Sequence, residues 1–157
     1  EEFQRNIYNS FFEKDKNREY FINFLWYFEE FLELMLELQN YNYSNEKIKN
    51  MENLIIELSD VLAWIFSILN LENIKITEIY LFDSSLDKFD FFVFNLFYCN
   101  LYLIKSIKKR DLKNFKNLVY LIITYLVKIA IFLDLNLEVI FNRYKVCPKC
   151  FKEKCIC

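Results

Sequence analysis

Apolar residues recur along this chain at intervals of three and four, the spacing of one helix face, over almost its whole length. Phe3, Ile7, Phe11 and Phe12 mark a first helix from Glu1 to about Lys14, broken at Asp15 to Asn17. A long second helix covers Arg18 to Gln39. The polar stretch Asn40 to Ser44 reads as a loop, and Ser44 to Glu46 offers a cap for a third helix reaching Asn70. After a turn at Leu71 to Asn73, the pattern predicts a short helix near Thr77 to Phe82. Asp83 to Ser85 caps a fifth helix that ends near Lys109, and Asp111 caps a sixth that ends near Asp134. A last short helix, Leu137 to Tyr144, leads into a cysteine-rich tail. The fold class expected is all-α, a helical bundle.

The outline repeats. Residues 20 to 80 read long helix, polar linker, long helix, short helix, and residues 85 to 144 read the same. The endings SILNLENIKITEIY (67 to 80) and AIFLDLNLEVIFNRY (130 to 144) are alike. Either the chain is an internal pseudo-dimer made by duplication, or two helical hairpins share a common outline. Three parts are expected: a helical unit over 1–82, a second hairpin unit over 83–145 and a tail over 146–157.

Composition narrows the chemistry. The chain has 157 residues, no Gly, no His and one Pro. An average protein is about 7% Gly, so roughly eleven were expected. Without glycine, phosphate-cradling loops and dinucleotide-binding turns are excluded, and without histidine every imidazole-based scheme is excluded. Carboxylate, Cys, Lys, Ser/Thr and Tyr chemistry remains. The net charge of −2 argues against nucleic acid as a partner. The residues are 55% apolar and 20% aromatic, which calls for a membrane check. The longest nearly uncharged stretches, Phe89 to Ile104 and Asn117 to Val127, fall short of the ~18 clean apolar residues that a span needs. No signal peptide is visible, and a cytoplasmic protein without a membrane partner is expected.

The sharpest signal is a set of carboxylates. The second helix carries Glu29, Glu30 and Glu33, and the third carries Glu57 and Asp60. Positions i and i+3 share a helix face, so each helix presents a pair, set among apolar neighbours such as Phe31, Leu34, Leu58 and Val61. If the two helices pack antiparallel, four carboxylates converge inside an apolar bundle, where they repel and lose hydration. A hard divalent cation resolves that conflict, because Mg²⁺ takes oxygen ligands and can clamp a polyphosphate. The plainer alternative is a solvated face, or ion pairs with Lys47, Lys49 and Lys105.

Glu29-Glu30-Phe31-Leu32-Glu33, a gap of 23 residues, then Glu57-Leu58-Ser59-Asp60 resembles the EExxE…ExxD signature of MazG-like nucleoside triphosphate pyrophosphohydrolases, an all-α superfamily that includes dimeric dUTPases and dCTP pyrophosphatases. Residues Glu2 to Leu34, Ile56 to Asn70 and the ending Arg143 to Cys157 resemble parts of these proteins. The resemblance implies that Glu30, Glu33, Glu57 and Asp60 bind Mg²⁺ or Mn²⁺, with Glu29 as an auxiliary ligand or water-orienting group. It implies hydrolysis of an NTP or dNTP to monophosphate and pyrophosphate, as nucleotide-pool clean-up. Lys14, Arg18 and Trp26 stand where phosphates or base could be met, or are surface cations and a core tryptophan. Family members dimerise, which implies a homo-dimer or higher homo-oligomer. A fused second copy would instead complete the bundle within one chain, with Leu118 and Leu121 where Glu57 and Asp60 stand. Leu32 replaces a glycine that the family usually has.

The tail residues Cys147, Cys150, Cys155 and Cys157 read C-x2-C-x4-C-x-C, with the sole proline, Pro148, inside the first pair. Four thiolates suit a structural tetrahedral Zn²⁺ as in a zinc knuckle, and disulfides are the alternative. Cys99 lies on an apolar helix and reads as core. The basic cluster Lys105, Lys108, Lys109, Arg110, Lys113 and Lys116 reads as a helix C-terminus and solvated turn, or as a contact for polyphosphate or RNA. The rival to an enzyme is a catalytically inactive helical interaction module whose tail docks on protein or nucleic acid, and a weaker one is a membrane-associated helical protein.

Overall fold

The computed structural model describes residues 1–43, 47–77, 79 and 88–155. Among them there are six helices and no strand: α1 Glu2–Asp15, α2 Tyr20–Tyr43, α3 Lys47–Leu71, α4 Phe89–Lys109, α5 Leu112–Phe132 and α6 Leu137–Asn142. The all-α expectation holds.

Several boundaries differ from the expected ones. Asn40 to Tyr43 is the last turn of α2 and not a loop, and the polar Gln39 and Asn40 are solvated helix surface. Thr77 and Ile79 are not helical, and the rest of the short helix expected there lies outside the described residues, as do the caps expected at Ser44 to Glu46 and Asp83 to Ser85. α4 begins at Phe89 behind Lys88, with no side-chain cap. Asp111 caps α5 as expected, its carboxylate accepting from the Asn114 N–H at 3.1 Å. Asn136 caps α6 in the same way through Val139, at 3.2 Å. α6 ends at Asn142, two residues before Tyr144. A chain without glycine still needs left-handed residues to stop its helices, and Asn73, Arg110 and Asp134 take that conformation. Asn and Asp tolerate it, whereas Arg110 bears the Cβ clash.

The chain forms two compact units, one of Glu1–Lys75 with Asn136–Cys157 and one of Ile76–Leu135. The last helix and the cysteine tail therefore belong with the first unit, a division unlike the three consecutive segments of the sequence reading.

In the first unit α2 packs along α3, α1 lies on α3, and α6 closes on α3 as well. Phe24, Tyr27, Phe31, Leu34 and Leu38 of α2 form one buried stripe at three- and four-residue spacing. Leu54, Leu58, Val61, Leu62, Ile65 and Leu69 form the buried stripe of α3. Burying each such side chain contributes about 1.5–3 kcal/mol, so this seam holds the hairpin. Phe3 of α1 makes edge-on contacts with Phe66 and with Phe141 of α6, both at 5.3 Å between centroids.

The second unit is the α4–α5 hairpin. Phe92, Leu96, Cys99 and Leu103 are buried on α4, and Phe115, Val119, Ile122, Leu126 and Ile129 on α5. Burial pushes the Cys99 thiol up to about 11, which suits the core role read for it. Lys108 and Lys109 occupy the last turn of α4, where cations meet the negative end of the helix dipole.

One expectation about membranes is corrected. Two helical stretches, Asn50–Leu71 and Leu112–Phe132, are long and apolar enough by length and composition to cross a membrane. The sequence reading missed the first because it counted single charges as interruptions. In the structure 61% and 56% of these stretches are buried within the protein, as in core helices.

Candidate functional site

The α2–α3 hairpin carries a second stripe beside its apolar seam. Trp26, Glu30, Glu33 and Glu37 follow one another on α2 at steps of four, three and four, and Asn53, Glu57, Asp60 and Trp64 do so on α3. Antiparallel packing turns the two rows into a ladder. At one end the Asn53 side-chain amide donates to Glu37 at 3.4 Å. In the register set by that contact, Glu33 pairs with Glu57 next and then Glu30 with Asp60. At the other end the Trp26 and Trp64 rings stack at 5.9 Å, 12° from parallel.

Glu30, Glu33 and Glu57 each offer one carboxylate oxygen within 4.8 Å of the other two. Glu33 is exposed and the other two are half-buried. Burial pushes both Glu30 and Glu57 up to about 7 from the ordinary 4.5, and the neighbouring Asp60 and Glu33 push further in the same direction. A hydrogen bond from Trp64 to Glu30 opposes the rise. Glu57 Oε2 is buried and has no hydrogen-bond partner among the described residues. A buried carboxylate oxygen without a donor is costly, and three carboxylates converging in this way could hold a metal cation.

Asp60 is handled differently from the other three. Tyr144 Oη donates to its Oδ1 at 2.6 Å, and Arg143 Nε donates to the same oxygen at 3.2 Å. These residues lie just beyond α6, whose packing on α3 delivers them. Burial, reinforced by the Asp60 charge, holds the Tyr144 phenol protonated far above the ordinary tyrosine range.

The remaining predicted site residues divide. Glu29 is exposed beside Glu30 and adds to its raised pKa. Trp26 is 44% exposed and stacked, and is not a core residue. Arg18 sits over the Trp64 ring at 5.4 Å and pairs with Asp15 at 2.7 Å. Asp15 is itself buried and accepts from Ser67. Lys14 stands at the cysteine cluster, its Nζ 3.9 Å from Cys155 Sγ. The Lys47 and Lys49 side chains lie outside the described residues, and Lys105 lies over the Tyr102 ring at 4.5 Å. Leu32, which stands where the resemblance expects a glycine, is 57% exposed.

Sulfur atoms of Cys147, Cys150 and Cys155 lie within 4.8 Å of one another, and no cysteine among the described residues is in a disulfide. Cys157 lies outside the described residues.

The sequence reading missed Glu37, Asn53, Trp64, Arg143 and Tyr144. The first three were within reach, because they continue the same four-three-four spacing by one step. The last two carried no local signal, since they meet Asp60 only through the packing of α6. Comparison of the chain with protein-family models, curated proteins and solved structures finds no match, so the site is read from its own geometry.

Proposed function

We propose that this protein is an Mg²⁺- or Mn²⁺-dependent hydrolase that splits a nucleoside triphosphate, NTP or dNTP, into the monophosphate and pyrophosphate. The observation that carries the reading is the convergence of Glu30, Glu33 and Glu57, with Glu57 Oε2 buried and unpartnered among the described residues. The likeness of the Glu29–Glu33 and Glu57–Asp60 motifs to the MazG-like pyrophosphohydrolases supports the same reading, with nucleotide clean-up as its role.

Glu30, Glu33 and Glu57 would hold the cation, with Asp60 beside them. Bound there, the ion supplies Lewis-acid neutralisation of a polyphosphate. Arg143 and Tyr144 fix the Asp60 carboxylate in one orientation. The stacked Trp26 and Trp64, with Arg18 over the second ring, form an exposed aromatic step at the end of the carboxylate ladder. Such a step suits a nucleobase, which stacks on aromatic rings at about 1–3 kcal/mol per base. Water attacks one phosphorus of the α–β anhydride, a new P–O bond forms, and the bond from that phosphorus to the bridging oxygen breaks, so that monophosphate and pyrophosphate separate. Glu29, exposed beside Glu30 and outside the cation-holding set, would orient the water and accept its proton. The exposed apolar residues Phe21, Leu25, Leu32 and Leu36 on the outer face of α2 are compatible with the homo-oligomer that the resemblance implies.

The test is a panel of NTPs and dNTPs with Mg²⁺, with pyrophosphate measured for the wild type and for a Glu33→Gln, Asp60→Asn double variant. Pyrophosphate released by the wild type alone supports the reading and ranks substrates. No turnover together with no Mn²⁺ binding overturns it in favour of a non-enzymatic interaction module.

A further inference from the structure

The cysteine cluster and the carboxylate site are joined by a short piece of chain. Tyr144, which grips Asp60, is three residues before Cys147. The segment between them and beyond is tied to α1 at several points. The Tyr144 ring packs edge-on against Phe11 at 5.7 Å. The Cys155 N–H donates to the Ser10 carbonyl at 3.0 Å, and the Ser10 hydroxyl donates to the Glu153 carbonyl at 2.7 Å. Ser10 is buried, so these bonds are shielded from water. The tail itself folds into a tight turn: the Phe151 N–H donates to the Cys147 carbonyl at 2.8 Å, and the Cys147 N–H donates to the Lys152 carbonyl at 2.9 Å. Phe151 adopts a left-handed conformation at φ 55° and is almost fully exposed. The Phe151 ring gains no burial from it, so the turn rests on these hydrogen bonds and on whatever joins its three thiols.

The thiol geometry supplies the answer. Cys147 Sγ and Cys155 Sγ are 3.6 Å apart, with Cys150 close to both. A tetrahedral zinc with Zn–S near 2.3 Å places its sulfurs about 3.8 Å apart. The Lys14 ammonium stands at the rim of the same cluster, its Nζ 3.9 Å from Cys155 Sγ. Zinc is the metal that suits closely spaced thiolates in a small closed turn, whereas the oxygen ligands of the ladder suit Mg²⁺.

We propose that Cys147, Cys150 and Cys155 bind a zinc ion that clamps the C-terminal segment to α1, and that this clamp holds Arg143 and Tyr144 on Asp60, so that zinc occupancy sets the divalent-cation affinity of the carboxylate site. The zinc site stands by itself; its coupling to the ladder rests on the cation reading of Glu30, Glu33 and Glu57. Arg143 and Tyr144 are positioning residues in this scheme, and the zinc takes no part in hydrolysis.

The experiment starts from the full chain purified without chelators. Elemental analysis is expected to find about one zinc per chain, lost in Cys150→Ser. Should that variant fail to fold, the wild type is stripped of zinc by a chelator and titrated with Co²⁺, where a thiolate-to-cobalt charge-transfer band reports the same site. Mn²⁺ binding to the ladder is then measured by electron paramagnetic resonance with and without zinc. Removal of zinc, and separately Tyr144→Phe with zinc retained, should each weaken Mn²⁺ binding about tenfold, the size of effect expected when a group orienting a metal ligand is lost. A protein that holds no zinc and gives no cobalt–thiolate band overturns the clamp. A zinc-loaded protein whose Mn²⁺ affinity is the same after stripping overturns the coupling. No Mn²⁺ binding under any condition, with zinc present, overturns the ladder's cation reading and leaves the zinc site standing.

Discussion

Tyr144 Oη donates to Asp60 Oδ1 at 2.6 Å across 84 residues of sequence, and the bond ties a residue just beyond α6 to the carboxylate row of α3. Asp60 is mostly buried, its side chain 18% exposed, so the bond is shielded. Hydrogen bonds to charged groups are worth about 1.5–3 kcal/mol, and Arg143 remains as a second donor to the same oxygen. Tyr144→Phe is therefore expected to destabilise the protein by about 1.5 kcal/mol, a fall of about 3–6 °C in Tm. Thermal unfolding followed by tryptophan fluorescence checks it, because both tryptophans, Trp26 and Trp64, lie in the first unit.

Glu57 is poorly accommodated where it stands. Its Oε2 is buried without a donor among the described residues, and Asp60, Glu33, Glu30 and Glu37 all repel its charge. Glu57→Gln removes a charge at almost constant shape. Without divalent cation the variant is expected to be more stable than wild type by about 0.5–2 kcal/mol, as is common when a functional compromise is relieved. With saturating Mg²⁺ the order should reverse, since only the wild type gains binding free energy. Paired melts in chelator and in Mg²⁺ test this, and a variant less stable in both would show Glu57 to be structural.

The same groups fix a pH dependence. Glu30 and Glu57 titrate near 7 in the fold against the ordinary 4.5, so the folded state holds their protons more tightly than the unfolded chain. Their contribution is fully present below about pH 4.5 and is lost as pH rises through about 7. Buried Asp15 is shifted upward as well and adds the same sign. In chelator, the Tm advantage of Glu57→Gln over wild type is therefore expected to grow between those two pH values. Mg²⁺ stabilisation of the wild type should grow over the same window, because the ligands must lose their protons to bind. A difference that is flat with pH in both series would place neither carboxylate in the cluster.

How much of this was legible beforehand follows from the range of each interaction. The helices, and the shared faces of Glu30 with Glu33 and of Glu57 with Asp60, follow from spacing of three and four residues, a local property, while the meeting of the two pairs depends on antiparallel packing of α2 on α3. The end of α2 was misjudged because Asn40, Tyr41 and Asn42 are polar or aromatic, and propensity cannot tell a solvated last turn from a loop. The grip of Arg143 and Tyr144 on Asp60 depends on where α6 docks, which no short-range pattern encodes. The placement of Lys14 beside Cys155 has the same origin. Trp64 was the avoidable omission: it is four residues after Asp60, on the same face, and its hydrogen bond to Glu30 places it within the ladder.

That placement gives the last prediction. The chain has two tryptophans, and they stack on each other at the end of the carboxylate ladder. A nucleobase seated on this step would stack against an indole, and a cation at Glu30 would compete with the Trp64 hydrogen bond. Intrinsic fluorescence is therefore expected to change in two stages, first on adding Mg²⁺ and again on adding a non-hydrolysable nucleoside triphosphate. Trp64→Phe should remove the first change, because the donor to Glu30 is gone, and should weaken nucleotide binding by about tenfold, the equivalent of about 1–2 kcal/mol of stacking and positioning. Trp26→Phe keeps that donor and should alter the second stage alone. Stopped-flow titration of the three proteins separates the stages, and identical responses from wild type and Trp64→Phe would move the nucleotide away from the tryptophan step.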